Sequence, residues 1–410
     1  MVRPPQRLTN FSGLIAVLDR IMGQPMPAPP EGLRRGPFRP GAFPSKTRGP
    51  WLTARIGLAL GIAFGTCFLT GLLSHLIQHP PAWFIWPSRP VALYRVTQGV
   101  HVATGIAAIG LLPVKLWSVY PKLFTWPPAR DLGYALERGS VLLLIAAALF
   151  QLTTGVLNIA AWYGAMPFAF IASHYWVAWV AIGSVLLHVA VKLPIIHGGL
   201  SSGRGPIGGP AISRRGVLAV AGAAALVLTL ATVGQTLRPL SRLSVLAPRR
   251  PEFGPQGLPV NTSALAAGVV DVLGDPDYRL VLSGPSGQRS LSLDELRALP
   301  QTTVELPIAC VEGWSATGTW TGIRIRDLMD LVGATTAGTR VRADSLQQDS
   351  PYATMMLDPE HAADPLTLLA LELNGETLHA DHGYPARVIA PNRPGVLQTK
   401  WIRALTVVPP

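Results

Sequence analysis

The chain has 410 residues, a formal net charge of +12, 49% hydrophobic residues and 14% charged residues. So little charge with so much apolar content excludes an ordinary water-soluble protein and indicates a membrane protein. The surplus of Lys and Arg does not indicate nucleic-acid binding, because the basic residues sit between apolar spans, where the positive-inside rule puts them.

Residues 1–50 are rich in Pro, Gly and Arg, as in Pro25-Met26-Pro27-Ala28-Pro29-Pro30 and Leu33-Arg34-Arg35-Gly36-Pro37. Such a segment buries too little apolar surface to order itself, so a basic, largely disordered cytoplasmic tail is expected. Five apolar stretches follow, at about 52–78, 92–118, 137–159, 169–192 and 216–236. Each is long enough to cross roughly 30 Å of hydrocarbon as a helix.

The loops assign an orientation. The tail before the first stretch is Arg-rich. Lys115, Lys122, Arg130 and Arg138 surround the second connection, and Lys192, Arg204, Arg214 and Arg215 the fourth. The alternate loops are nearly uncharged: residues 79–90 hold one Arg and residues 160–168 none. The basic segments are expected on the cytoplasmic side, so five spans carry the C-terminus out of the cytoplasm. Residues 51–195 then form a four-helix membrane domain. Residues 196–248 form a cytoplasmic loop, a fifth helix and a linker, and residues 249–410 a separate globular domain.

Ser213-Arg214-Arg215-Gly216-Val217-Leu218 precedes the fifth stretch and resembles a twin-arginine export signal placed internally. Two positive-inside arginines explain it equally well. An export signal would suit a domain that must fold around a cofactor before crossing.

Ionisable residues inside spans are costly and raise a functional question. Four histidines qualify: His75, His101, His174 and His188. His174 and His188 are fourteen residues apart, close to four helical turns, so their rings share one face about 21 Å apart. They suit one ligand to each of two stacked haems. Hydrogen bonding across helices is the plainer alternative. The arrangement resembles the four-helix b-type cytochrome subunits that anchor formate dehydrogenases and hydrogenases, where each haem takes its second ligand from another helix. That resemblance implies an outer haem b held by His101 and His174, with His75 as substitute for His101. A second haem at His188 finds no histidine partner at the start of the first span, a departure from that pattern.

From about Arg249 the texture becomes mixed α+β, weighted to β. Short strand-like runs lie at 278–282, 302–306, 387–390 and 405–408, with helices at 293–299 and 325–332. There are two cysteines. Cys67 lies in an apolar span and Cys310 in the globular part, so a disulfide between them is implausible. Cys310 is left available for other work.

Two segments are distinctive. One is Leu306-Pro307-Ile308-Ala309-Cys310-Val311-Glu312-Gly313-Trp314-Ser315, followed by Trp320-Thr321-Gly322. The other is Leu373-Asn374-Gly375-Glu376, then His382-Gly383-Tyr384-Pro385-Ala386-Arg387, Pro391, Gly395 and Lys400-Trp401-Ile402. In this order they resemble the sulfite-oxidase-like molybdopterin family over roughly residues 259–408. The Cys-Val-Glu-x-Trp-Ser run is nearest the bacterial methionine-sulfoxide reductase branch.

The resemblance implies a molybdenum held by a pterin dithiolene and the Cys310 thiolate, soft ligands suited to such a metal. It also implies that His382, Arg387, Gln398, Thr399 and Lys400 line the pterin and its phosphate, with Asn261 as an earlier cofactor contact. The family's oxyanion-binding positions cannot be assigned; Tyr352 and Arg324 are available, and ordinary surface roles suit both.

The implied function is oxygen-atom transfer on a small molecule outside the cytoplasm, with electrons exchanged through a membrane haem with the quinone pool. Reduction of an S-oxide or N-oxide is favoured by the reductase-like cysteine segment. Sulfite oxidation feeding the membrane is the runner-up, and a membrane-anchored binding module without turnover is the alternative from another class.

Overall fold

The computed structural model describes residues 28–39, 41–45, 47–126, 131–201, 213–334, 338–348 and 350–408. Residues 1–27 of the expected tail, Arg130 and Arg204 lie outside the described residues.

Five helices are long and apolar enough to cross a membrane: α1 (Pro50–Gln78), α2 (Leu93–Val119), α3 (Leu132–Ile159), α4 (Phe170–Ser201) and α5 (Arg214–Val233). α3 begins before, and α4 ends after, the apolar stretches that announced them. Backbone hydrogen bonding continues through polar flanks that hydropathy leaves out. Between 11% and 28% of each apolar window is buried within the protein. Large side chains such as Leu58, Ile62, Leu142 and Leu186 are exposed on these helices, as expected of helices that are apolar all round.

Contacts divide the chain into two compact units, and the division cuts through helices. One unit contains Met1–Gly65, Gly105–Val156 and Met166–Leu228; the other contains Thr66–Thr104, Leu157–Ala165 and Thr229–Pro410.

In the first unit, Leu52, Ile56, Leu60 and Ala63 of α1 pack with Ala108 and Leu112 of α2 and Ala148 of α3. Gly110 lets α2 and α5 touch: a Cβ there would lie 2.6 Å from the Ala225 nitrogen. Glu137 of α3 pairs with Lys192 of α4. The part of the expected disordered tail that is described has order. It forms a helical turn at Glu31–Arg34. Further on, the Phe43 ring meets Tyr120 at 4.5 Å, and the Arg48 guanidinium lies over Trp117 and Tyr120. Aromatic and cation–π contacts at the end of α2 supply what composition alone does not reveal.

The second unit is built on two five-stranded sheets. One has the order β2-β1-β10-β5-β6, from β1 (Arg279–Gly284), β2 (Gly287–Ser292), β5 (Arg340–Ser345), β6 (Thr354–Leu357) and β10 (Ile402–Val408). The other has the order β3-β4-β7-β8, with β9 on β7, from β3 (Thr302–Ala309), β4 (Ser315–Arg324), β7 (Leu368–Leu373), β8 (Glu376–Thr377) and β9 (Arg387–Ile389). β1 runs parallel to β10, which joins the domain's first and last strands; the other pairings are antiparallel.

Short helices α6 (Val270–Leu273), α7 (Leu293–Ala298), α8 (Ile325–Asp330) and α9 (Pro359–Ala363) fill the connections. Ser292 and Glu295 form a capping box that starts α7. The main core gathers Leu280, Leu282, Leu328, Val341, Leu357, Leu369, Val388 and Leu405. The four strand-like runs of the sequence correspond to β1, β3, β9 and β10. β2 was not legible because Gly287-Gln288-Arg289-Ser290 is exposed and polar.

Candidate active site

Cys310 follows β3 and enters the tight connection to β4. Its backbone N–H donates to the Trp314 carbonyl at 2.9 Å, and the Gly313 N–H returns to the Cys310 carbonyl at 3.0 Å. Gly313 has φ +91°, and a Cβ there would lie 2.5 Å from the Val102 side chain of α2. Only glycine suits both the turn and that approach.

The sulfur is buried, 3% exposed as a residue, and receives two donors. The Asn261 amide Nδ2 donates to Sγ at 2.9 Å, and the Glu312 backbone N–H donates as well. Burial, with Glu312 nearby, pushes the Cys310 thiol up to about 12. A bare thiolate would therefore not persist at neutral pH. A bound cation reverses that balance by supplying the missing positive charge.

Around the sulfur the structure gathers groups from distant parts of the sequence. Arg249 acts electrostatically on Cys310 and Glu312. Its Nε donates to Asn261 Oδ1 at 3.0 Å, and Trp314 Nε1 donates to the same oxygen at 3.0 Å. Glu312 is buried, which raises its carboxyl above the usual range, and Tyr163 donates to its Oε1 at 3.4 Å. Tyr94, Tyr163 and Tyr352 all lie within electrostatic reach of Cys310. Burial first, then the neighbouring acids, hold the Tyr163 and Tyr352 phenols above their ordinary value, so both are protonated donors at neutral pH. Gln98 Nε2 on α2 donates to the Val311 carbonyl at 2.6 Å. Arg324, at the start of α8, is not among the groups whose charge acts on Cys310.

His382, Arg387, Gln398, Thr399 and Lys400 come together beside this pocket. A Cβ on Gly383 would meet Arg387 and Lys400 side chains at 3.0 Å each. Arg387 is buried, lies over the Trp320 ring and donates to the His382 and Gln398 carbonyls. It is a strut of the cluster as well as a cation. Lys400 Nζ donates to the Thr262 and Asp381 carbonyls at 2.6 and 2.9 Å, which places it one residue from Asn261. Burial lowers Arg387 to about 9. Burial and Arg387 together lower Lys400 to about 7, and burial with the same cation lowers His382 to about 4. Three adjacent basic side chains held this far down call for an anion.

A cofactor with a phosphate and a polar heterocycle fits these residues. Ser315 Oγ, Gln398 Oε1, Thr399 Oγ1 and Arg387 Nε are buried polar atoms with no hydrogen-bond partner among the described residues. Buried polar atoms are ordinarily paired, so these mark where a polar ligand would complete the site.

The histidines of the helices divide between the units. In the second unit, His101 Nδ1 donates to the Cys67 carbonyl at 2.8 Å. A carbonyl only accepts, so the proton sits on Nδ1 and the Nε2 lone pair is available to a metal. Gly71 packs against this ring: a Cβ there would lie 2.7 Å from His101 Cε1. His75 lies beside His79, with ring centroids 4.9 Å apart and the ring planes tilted by 48°. In the first unit, Thr154 Oγ1 donates to the Phe150 carbonyl at 2.7 Å and lies 2.9 Å from His174 Nδ1. The hydroxyl proton is committed to Phe150, so His174 also carries its proton on Nδ1. His188 sits among the charges of Lys115, Lys192 and Glu137. Among the described residues no three His, Cys, Asp or Glu side chains converge as a metal site.

Sequence reasoning missed Arg249, Gln98, Tyr94 and Tyr163. No local signal marks them, because each reaches the pocket across the fold.

The oxidoreductase molybdopterin binding domain family matches residues 267–409. A protein of Azospira oryzae named as a protein-methionine-sulfoxide reductase subunit, YedZ1, is 37% identical over 131 residues, 32% of this chain and 48% of that protein. Sulfite oxidase of Arabidopsis thaliana is 30% identical over 164 residues, 32% of this chain and 42% of that enzyme. The chain thus spans less than half the length of either relative. The sulfane dehydrogenase SoxCD of Paracoccus pantotrophus is similar at 22% identity and a TM-score of 0.30, over 38% of this chain and 43% of that one. This chain therefore carries, after five helices of membrane-spanning length, a sulfite-oxidase-like molybdopterin-binding oxidoreductase domain.

Proposed function

We propose that the protein is a membrane-bound reductase of S-oxides or N-oxides, with its molybdenum held by Cys310 on the extracytoplasmic side. Asn261, His382, Arg387, Gln398, Thr399 and Lys400 hold the pterin and its phosphate. When bound, the molybdenum cofactor supplies two-electron oxygen-atom transfer. Reduction of an S-oxide consumes two electrons and two protons and yields a thioether and water.

The observation that carries the choice of substrate is the charge of the Cys310 pocket. Among the described residues Arg249 is the one cation whose charge acts on Cys310, and the Glu312 carboxyl opposes it. The neutral Asn261 amide donates to the sulfur, and the hydroxyls of Tyr94, Tyr163 and Tyr352 also lie in reach. A near-neutral pocket with phenolic donors suits the oxygen of a neutral S-oxide. A sulfite anion would need an excess of cations to offset its desolvation. Tyr163 and Tyr352 then hold the substrate oxygen, and burial keeps water from competing.

Electrons reach the site from a haem b in the helices, drawn from the quinone pool. His101 and His174 are the favoured ligands, because each has its Nδ1 proton committed to an oxygen. His75 is the substitute, and His188 the site of a second haem. The positive-inside pattern puts residues 1–50 in the cytoplasm of a cell whose plasma membrane the helices cross. Residues 51–195 form the haem domain, residues 196–248 the connection with its twin-arginine-like motif, and residues 249–410 the catalytic domain.

The test is to reduce the haem in detergent-purified protein and add methionine sulfoxide, other S- and N-oxides, nitrate and sulfite in turn. Reoxidation by an S- or N-oxide is expected. If no oxide reoxidises the haem and sulfite reduces the oxidised form, the enzyme is a sulfite dehydrogenase instead. A protein that folds with the pterin but turns over none of these is a binding module.

A further inference from the structure

The geometry points to Arg249 as a positioning residue for the molybdenum ligand: it locks the Asn261 amide so that its NH2 group donates to Cys310 Sγ. The inference rests on the proposed role of Cys310.

Asn261 Oδ1 accepts two hydrogen bonds, one from Arg249 Nε and one from Trp314 Nε1, both at 3.0 Å. A carbonyl oxygen has two lone pairs, so both are used. The other end of the amide must then face the sulfur, which it meets at 2.9 Å. Turning the amide over would set NH2 against two N–H donors and remove the donor from the sulfur. The assignment of oxygen and nitrogen thus follows from the network itself. Trp314 belongs to the Cys310–Trp314 turn, but Arg249 and Asn261 lie before residue 267, where the match to the molybdopterin-binding domain begins. Arg249 stands sixteen residues after the end of α5. The linker from the last helix therefore contributes directly to the environment of the metal ligand.

Hydrogen bonds to a thiolate draw electron density from the sulfur and make it a weaker donor to a metal. Losing the lock frees the amide to rotate, strengthens the thiolate and favours the higher oxidation state of the metal. The midpoint potential of the molybdenum should fall, and the Mo(V) electron paramagnetic resonance spectrum should change. The charge of Arg249 acts in the same direction as the bond it makes.

The experiment compares full-length wild type, Arg249→Met and Arg249→Lys, each checked for molybdenum and haem content. Arg249→Met should load molybdenum, show a lower midpoint potential and an altered Mo(V) spectrum, and lose about tenfold in kcat with KM nearly unchanged. Arg249→Lys, which keeps the charge but not the guanidinium Nε that bonds Asn261, should recover only part of each change. Wild-type potential and spectrum in a loaded Arg249→Met protein would overturn the assignment. So would a raised KM at unchanged kcat, which would make Arg249 a substrate contact. Should Arg249→Met not load, Arg249→Lys decides by the same two measurements: an intermediate shift supports the lock and wild-type values refute it. Cys310→Ser separates this from the underlying reading. If that variant keeps its molybdenum with an unchanged spectrum, Cys310 is not the ligand and the lock has no metal to act on.

Discussion

Gln98 of α2 donates to the carbonyl of Val311, the residue after Cys310, at 2.6 Å. Gln98 stands one helical turn before His101, and Val102, the next residue on that helix, meets Gly313. The helix that carries a candidate haem ligand therefore also holds the cysteine loop in place.

Gln98→Leu leaves the Val311 carbonyl without its donor in a partly buried place. Such a loss costs about 1–3 kcal/mol. The expected result is a lower melting temperature for the catalytic domain and reduced turnover, with the haem spectrum intact. A variant with wild-type melting and turnover would mean that the bond does not hold the loop.

Cys310→Ser removes the proposed sulfur ligand and changes little volume. The protein should fold and keep its haem but lose substrate turnover. Metal analysis and haem spectroscopy on the same sample give the comparison. Retained turnover would show that another group binds the metal.

Thr154→Val removes the oxygen that accepts from His174 Nδ1 while keeping the shape of the side chain. Losing such an outer partner weakens a metal ligand by about 10–100-fold. The b-type spectrum should weaken in Thr154→Val and vanish in His174→Ala. Unchanged bands in His174→Ala would assign that haem to other ligands.

Asp364 accepts from Arg89 Nε and Nη2, each at 2.9 Å, and so ties the α1–α2 connection to α9. Burial would raise its carboxyl, but the bonds from Arg89, the Leu366 N–H and Ser88 outweigh burial and hold it below the usual range. A carboxyl depressed in the folded state stabilises fully above its unfolded value of about 3.9. That contribution disappears as pH falls below this value through the folded pKa. The protection factors for hydrogen exchange in residues 79–91, taken relative to unstructured peptide at the same pH, should therefore fall on acidification below about pH 4. In Asp364→Asn these protection factors should be low at all pH values. Wild-type protection factors that do not change with pH would rule out this anchor.

Lys400 gives a slope of the same sign in a higher pH window, as a penalty at neutral pH instead of a stabilising contribution. Its folded value of about 7 lies well below the ordinary lysine value of 10.5. Between these two values the unfolded chain holds a proton that the folded domain lacks. Stability of the cofactor-free domain should therefore rise with pH across that window. The phosphate of the bound pterin should flatten the rise by keeping Lys400 charged. Thermal melts of cofactor-free and loaded protein from pH 6.5 to 9.5 provide the test. Identical slopes would place the phosphate elsewhere.

Much of the architecture could be read along the chain, because its signals are local. A run of apolar residues of the right length makes a span wherever it occurs. The segment around Cys310 and the segment from His382 to Lys400 each lie within a few turns of sequence. What stayed hidden was polar and exposed, as in β2, or ordered by aromatic contacts, as in the segment holding Phe43 and Arg48.

The sequence by itself determined that the chain has five membrane-length helices and a molybdopterin-type domain around one cysteine outside them. Only the tertiary structure decided what surrounds that cysteine. Gln98 meets Val311 across 213 residues and Tyr163 meets Glu312 across 149. Arg249 reaches the sulfur by its charge and through the Asn261 amide. Hydropathy and motif spacing report backbone periodicity over a few turns. A pocket is a meeting of side chains, and which ones meet depends on how the helices and sheets pack.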